Sequence, residues 1–162
     1  DMGAPQFEPA RVPFDANGAD PLHAKIEIDD DVVEAAVLSM GNPHAVLFVA
    51  EPAVAPVTTL GPRLERHESF PNKTNVEFVS VESPRRLILR VWERGSGETM
   101  ACGTGACAAA VAARLLRGTE EHVTVALPGG ELSIEWSGSL DEEAPVFMTG
   151  EAHEVFRGKV AL

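Results

Sequence analysis

The sequence contains few cysteines, few basic residues and no long apolar run, and each shortage excludes a class of protein. Only two of the 162 residues are cysteines, and Cys102 and Cys107 stand five positions apart. This spacing fits neither a disulfide framework nor the usual ligand pair of a zinc site. No apolar run approaches the roughly 18 residues that a membrane span requires, so we expect no membrane partner.

The shortage of positive charge limits the partners further. Thirteen lysines and arginines stand against 25 aspartates and glutamates, which gives a formal net charge of -12 and a pI near 4.7. Such a surface repels phosphate backbones and anionic lipid, so we expect no nucleic-acid partner. The opening stretch DMGAPQFEPARVPFD has neither the basic nor the apolar region of a secretory signal, and we therefore expect a cytoplasmic protein.

Alternation of apolar and polar residues is the main secondary-structure pattern. It predicts strands at residues 75–81, 86–92, 122–127, 131–136 and 146–150, and further strands in the segments AKIEI, VEAAVLSM and AVLFV. Alternation is typical of a sheet with one buried face, which favours antiparallel or mixed pairing. The stretch LPGGE predicts a hairpin turn. The stretch VTTLGPRLERH predicts a short helix with Gly61 and Pro62 in its first turn.

A helix is predicted directly after Cys102. Apolar residues recur with helical spacing at Ala108, Val111, Ala112 and Leu115, and Gly118 is well placed to end the helix. The small side chains of this helix indicate close packing inside a curved sheet.

The position of Cys102 suggests chemistry. At a helix N-terminus the unpaired N–H groups and the helix dipole favour an anion, which predicts a lowered thiol pKa. Gly103 and Gly105 would allow those N–H groups to approach a carboxylate closely. From spacing alone, a buried cysteine that merely fits a tight turn stays an equal alternative. Cys107 lies on another side of the helix, and we expect it to be structural.

Residues 103–108 also match the dinucleotide-binding pattern G-x-G-x-x-A. That pattern requires a strand running directly into the first glycine and an acidic residue at the end of the next strand. A polar loop precedes the glycine here, and residues 122–127 lead into Pro-Gly-Gly. We therefore expect no nucleotide, and with neither a Schiff-base-like lysine nor a ligand cluster we expect no cofactor and no metal.

Three stretches together carry a family resemblance: SMGNPHAV, NKTNVEFV and WERGSGETMACGTGACA. In this order they resemble the diaminopimelate epimerase family, cofactor-independent amino-acid epimerases of bacterial lysine and cell-wall synthesis. The resemblance implies an α+β fold of two similar domains. Each domain is a curved mixed or antiparallel sheet wrapped around a central helix, with a catalytic cysteine at the helix N-terminus.

By this resemblance the chain corresponds to one half of such an enzyme. Residues 1–148 resemble the second, C-terminal domain, and residues 149–162 resemble the terminal strand that returns to the first domain. The first domain's own Cys-Gly-Asn-Gly stretch is not found in these 162 residues. We expect the missing N-terminal domain to be a partner and the isolated chain to be inactive, and a homodimer is left open.

The resemblance implies three catalytic residues. Cys102 would be one member of an acid–base pair that converts LL-diaminopimelate to meso-diaminopimelate. Glu93 would assist this thiol and bind the substrate's ammonium group. His44 would pair with the cysteine of the missing domain.

The resemblance also implies substrate-binding residues besides Glu93. Gly103 and Thr104 would offer backbone N–H groups to the reacting carboxylate. Arg94, Asn42 and Asn75 would hold the distal amino-acid end. A guanidinium fork suits a carboxylate better than a lysine would.

Other interpretations stay open at this point. Proline racemase-like and hydroxyproline epimerase-like enzymes also place a cysteine before Gly-Thr-Gly, although a small cyclic substrate would not need the distal residues. The chain could instead be a substrate-binding half without turnover. Taken singly, Glu93 and Arg94 could be a solvated pair, Asn42 and Asn75 turn or capping residues, and His44 a structural histidine.

Overall fold

Within residues 1–160, which the computed structural model describes, the chain forms nine strands and two α-helices. The strands are β1 (Ala24–Ile28), β2 (Asp31–Ser39), β3 (Pro43–Phe48), β4 (Asn75–Ser83), β5 (Arg86–Glu93), β6 (Gly97–Thr99), β7 (His122–Leu127), β8 (Gly130–Glu135) and β9 (Phe147–Thr149). The helices are α1 (Val57–Glu65) and α2 (Gly103–Arg117), and short 3-10 turns form at Pro21–His23 and Pro52–Val54.

The strands form one mixed sheet. Its order is β1-β2-β3-β4-β5-β7-β8-β9, and the short strand β6 also pairs with β5. Two neighbouring pairs, β3 with β4 and β5 with β7, are parallel, and all other pairs are antiparallel. A parallel pair requires a crossover connection, and the two crossovers contain α1 and α2 respectively. The predicted α+β class with a mixed sheet is confirmed.

The helix α2 lies in the curve of this sheet. It contacts six strands, β2, β3, β4, β5, β7 and β8. Every residue from 105 to 113 is buried, and most of them are alanine, so the helix backbone can approach the sheet closely. Cys102 is the N-cap residue, and Gly118 ends the helix with a left-handed φ of 67°. The prediction of a central helix closed by Gly118 is confirmed.

The opposite face of the sheet is covered by α1 and by the chain that precedes β1. Val57 and Leu64 of α1 pack in a second apolar cluster with Phe14 and Phe70. Two helices on opposite faces bury β3 and the first half of β4 on both sides, whereas β5 and β7 show the predicted alternation. The expectation of a sheet with one buried face is therefore wrong for its centre.

The helix α1 occupies the predicted stretch from its first residue, but Gly61 and Pro62 are not in its first turn. The backbone N–H groups of Thr59 and Leu60 donate to the carbonyl of Pro56, so the helix begins at Val57. Pro62 is consequently inside the helix and not in its first turn.

The predicted hairpin is confirmed, since β7 and β8 are antiparallel neighbours joined after Leu127. β9 pairs with β8, and the following residues 150–160 are exposed and form neither helix nor strand. Residues 161 and 162 of the predicted terminal strand lie outside the described residues. None of the helices in the described part combines the length and apolar character needed to cross a membrane.

We predict that Gly61→Ala destabilises the fold by about 1–3 kcal/mol. A Cβ at position 61 would lie 2.7 Å from both Cβ and Cγ of Trp92, so α1 would have to move off β5. Helix propensity alone predicts the opposite effect, because alanine in place of glycine inside a helix raises stability by about 1 kcal/mol. Urea unfolding of Gly61→Ala against the exposed control Thr58→Ala measures the difference, and a Gly61→Ala protein as stable as the control would contradict the packing.

Candidate active site

The predicted site residues of the sheet gather at one end of it. Asn42 and His44 stand at the start of β3, Asn75 begins β4, and Glu93 ends β5. Because β3 and β4 are parallel and β5 is antiparallel to β4, these termini meet at the same end, with His44 beside Asn75 in register. Arg94 follows directly, and its backbone N–H donates to Asn75 Oδ1 at 2.9 Å.

The first turn of α2 lies at the same end. After β5 the chain turns back through β6, where Gly97 pairs with Glu93, and then enters the helix at Cys102. Gly129 of the β7–β8 turn donates its backbone N–H to the carbonyl of Met100 at 2.7 Å, which holds the approach to the helix. All eight predicted site residues are therefore brought together.

The environment of Cys102 opposes ionisation. The residue is only 6% exposed, and burial raises the pKa of its thiol to about 11 from an ordinary 9.0. Hydrogen bonds from the Gly105 backbone N–H and the Thr104 hydroxyl act in the opposite direction, and a negative charge on Glu77 or Glu93 would add to the rise. The expectation of a lowered pKa is wrong, because loss of solvation outweighs the helix terminus.

Cys107 is fully buried in the helix, in agreement with a structural role, and burial raises its pKa to about 12. Both cysteines are free. Within residues 1–160 no group of three or more histidine, cysteine, aspartate or glutamate side chains is arranged to hold a metal ion.

A line of polar contacts runs from β3 to the thiol. Asn42 Nδ2 donates to Thr104 Oγ1 at 3.3 Å, and Thr104 Oγ1 lies 3.7 Å from Cys102 Sγ. Asn42 Oδ1 accepts from His44 Nε2 at 3.0 Å. His44 is fully buried, and its other ring nitrogen lies 2.7 Å from Glu77 Oε1.

Glu77, a fully buried carboxyl group on β4, is not among the residues predicted for the site. A detectable sign was present, since in the strand NVEFVSV this glutamate shares a face with the apolar Val79 and Val81. Burial raises the pKa of Glu77, and the neighbouring His44 opposes that rise. Gly105 makes room for this group, because a Cβ at Gly105 would lie 2.9 Å from Glu77 Oε1 and 3.2 Å from Cys102 Sγ.

Asn75 connects two of the strand ends. Its Nδ2 donates to the Pro43 carbonyl at 2.9 Å, and its Oδ1 accepts from the Arg94 backbone. These contacts use one N–H and one oxygen lone pair of the Asn75 amide, and a second N–H and a second lone pair are left for other partners. The predicted contact of Asn75 with a substrate stays a prediction. The exposed Arg94 guanidinium reaches back to the Asn72 carbonyl at 3.1 Å.

The turn that carries Glu93 and Arg94 is held by Glu65 of α1, which is likewise not among the residues predicted for the site. Glu65 is 2% exposed and accepts hydrogen bonds from the Trp92 indole at 2.8 Å and the Gly95 backbone at 3.1 Å. Glu93 itself accepts a hydrogen bond from Thr99 of β6. The effect of Glu93 on Cys102 is electrostatic, because a negative charge on Glu93 raises the pKa of the thiol.

A thiol beside a helix N-terminus, with backbone N–H groups and a carboxylate around it, is equipped for proton transfer next to a bound carboxylate. The family model described as "Diaminopimelate epimerase" matches residues 36–155. The chain belongs to the diaminopimelate epimerase family.

Curated relatives extend the match over nearly the whole chain. A diaminopimelate epimerase of Ectopseudomonas mendocina (strain ymp) is 55% identical over 161 residues, which are 99% of this chain and 57% of the relative. One of Moorella thermoacetica is 51% identical over 162 residues, 100% of this chain and 57% of the relative. The chain therefore spans 57% of the length of these relatives. A solved Enterococcus faecalis structure of the phenazine biosynthesis protein PhzF family also matches, at 20% identity and a TM-score of 0.47, over 59% of this chain and 34% of that one.

We predict that Cys102 stays a neutral thiol well above neutral pH. In the single-thiol variant Cys107→Ala, the rate of iodoacetamide alkylation should rise through a midpoint near pH 11, whereas the unfolded chain should titrate near 9.0. A midpoint below 9 in the folded chain would contradict the buried environment.

The same pKa shift has a consequence for stability. The unfolded state releases the thiol proton first, so the contribution of Cys102 to stability is present below pH 9 and is lost as pH rises towards 11. Urea unfolding at increasing pH should show this loss with Cys102 present and a smaller one in Cys102→Ala.

Proposed function

We propose that this chain supplies one half of the active site of a diaminopimelate epimerase, an isomerase that interconverts LL- and meso-diaminopimelate without a cofactor. The observation that carries the proposal is the position of Cys102, which begins α2 at the sheet end where Asn42, Glu93 and Arg94 also lie. Membership of the family and the names of the relatives support it. The reaction would serve lysine and peptidoglycan synthesis.

Inversion at the α-carbon requires a base on one face and an acid on the other. A thiol with a pKa near 11 carries its proton at neutral pH, which suits Cys102 to the role of the acid. As the opposite base breaks the original C–H bond, Cys102 would give its proton to the other face and form the new one. In the reverse reaction the resulting thiolate would act as the base.

The first turn of α2 suits the charge that develops during this transfer. As the proton leaves, negative charge spreads onto the neighbouring carboxylate. The backbone N–H groups of Gly103 and Thr104 lie at the N-terminus of α2, where unpaired donors and the helix dipole stabilise an anion. Glu93, within electrostatic range of the thiol, would bind the ammonium group on the same carbon.

The distal amino-acid end must be bound without being inverted. The exposed Arg94 guanidinium offers a bidentate contact to the distal carboxylate. Asn42 and Asn75 each retain hydrogen-bonding capacity beyond their contacts within the chain. Three polar groups would therefore distinguish diaminopimelate from a small cyclic amino acid.

The second acid–base residue would come from the first domain of the enzyme. The expected pairing of His44 with it would require His44 to give up its contact with Asn42, because His44 is fully buried and its two ring nitrogens lie 2.7 Å from Glu77 Oε1 and 3.0 Å from Asn42 Oδ1. We assign residues 1–148 to the second domain, and in the complete enzyme residues 149–162 would pair as a strand with the first domain. Apolar side chains exposed near this boundary support the assignment: Phe147 is 48% exposed and Phe156 84%. The chain alone would then be inactive.

We place the reaction in the cytoplasm, where the two free thiols stay reduced.

We predict that Cys102→Ala lowers epimerisation by at least about 10²-fold in the enzyme reassembled with its first domain. Cys107→Ala is the matched control, because Cys107 is buried in the middle of α2, and it should retain most of the activity. Turnover is measured as interconversion of LL- and meso-diaminopimelate. Near-normal turnover by Cys102→Ala would refute the catalytic role.

We further predict that Arg94→Ala weakens diaminopimelate binding by about tenfold to a hundredfold, since it removes a charge-assisted contact. Arg85→Ala is a suitable control: Arg85 is exposed, pairs with Glu120 and lies at the other end of β5. Calorimetry on the reassembled enzyme measures both affinities, and urea unfolding checks that both variants are folded. Equal affinities would count against Arg94.

A further inference from the structure

Glu77 has no role in the reaction described above, yet it lies at the centre of the site. Both His44 and Glu77 are fully buried, and His44 Nδ1 is 2.7 Å from Glu77 Oε1. No donor in the described part of the chain reaches the second oxygen, Oε2. A buried carboxyl group with one unsatisfied oxygen is costly unless it is uncharged.

The placement of the Asn42 amide, with Oδ1 towards His44 and Nδ2 towards Thr104, sets the direction of the hydrogen bonds beyond His44. Asn42 Oδ1 can only accept, so the hydrogen in its contact with His44 is on Nε2. Asn42 Nδ2 then donates to Thr104 Oγ1. The hydroxyl hydrogen of Thr104 can then be donated to Cys102 Sγ, 3.7 Å away, and such a bond lowers the pKa of the thiol.

The direction of these bonds indicates where the proton between Glu77 and His44 lies. With the hydrogen of a neutral His44 on Nε2, Nδ1 is bare and needs a donor, which only a protonated Glu77 supplies. The alternative is a buried ion pair in which the unsatisfied Oε2 carries charge. Two further ionisable groups face Glu77, Glu93 from β5 and Cys102 from the start of α2. A negative charge on Glu93 also disfavours ionisation of Glu77, as does burial, which raises the pKa of Glu77.

We propose that Glu77 is a positioning residue that, as a neutral carboxylic acid, donates to His44 Nδ1 and fixes the Nε2–H tautomer. Four hydrogen bonds then run in one direction, from Glu77 through His44, Asn42 and Thr104 to the sulfur of Cys102. The last donor stabilises the thiolate that forms when Cys102 gives up its proton, and a neutral Glu77 places no negative charge beside it. Only this catalytic consequence rests on the proposed function.

The first test is the tautomer of His44 in the chain as it is, at neutral pH. Nitrogen-15 NMR of the imidazole, assigned with His44→Gln, should show hydrogen on Nε2 and none on Nδ1. Hydrogen on Nδ1, alone or together with Nε2, would overturn the proposal. The test needs no epimerase activity, so its failure and that of the proposed function are distinguishable.

The second test uses Glu77→Gln, whose amide can replace the donor of a neutral carboxyl group. Infrared spectra at neutral pH should show a carboxylic-acid C=O band in the wild-type chain that is lost in Glu77→Gln. The His44 tautomer should be retained in Glu77→Gln and lost in Glu77→Leu, which has no donor. A wild-type spectrum without the band would overturn the proposal.

A third test measures the rate at which Cys102 is alkylated by iodoacetamide at neutral pH, in the Cys107→Ala variant. Glu77→Gln should leave the alkylation rate of Cys102 within about twofold of the parent, since no charge is removed. If Glu77 were ionised, its replacement would lower the thiol pKa, and the rate would rise roughly tenfold per unit. Such a rise would contradict the proposal. Thr104→Val should slow alkylation, because it removes the last donor to the sulfur.

Discussion

The close packing of α2 against the curved sheet is the constraint on which the rest of the structure depends. Alanines along the helix allow six strands to contact it, and this position puts Cys102 at the sheet end where β3, β4 and β5 supply polar groups. The same packing removes water from the thiol. The pKa of Cys102 therefore rises, and the position that could have produced a thiolate instead holds a protonated thiol.

Elements with a clear local pattern could be predicted from the sequence. The turn at LPGGE, the helix closed by Gly118 and all strands except the short β6 depend on periodicity and on turn residues, which a single chain segment contains. Burial of β3 and β4 on both faces could not be predicted in this way, because it depends on α1 and α2 covering opposite sides. The position of Pro62 inside α1, beyond its first turn, likewise depends on hydrogen bonds to the Pro56 carbonyl that the sequence pattern does not display.

In the candidate site, too, some residues could be predicted from the sequence and others could not. The family resemblance indicated eight residues from separate stretches, and strand pairing brings them to one end of the sheet. Glu65, Glu77 and Thr99 were missed because their importance comes from partners distant in sequence: the turn after β5, His44 and Glu93. The sign of the Cys102 pKa shift was also out of reach, since motif spacing contains no information on desolvation.

Solvent-deuterium incorporation at the α-carbons of LL- and meso-diaminopimelate tests most directly the claim that this chain is one half of a two-base site. We predict no incorporation by the folded chain alone, and incorporation with inversion once the separately expressed first domain is added. Incorporation with inversion by the chain alone would contradict this claim, because the second acid–base residue would then have to lie within these 162 residues.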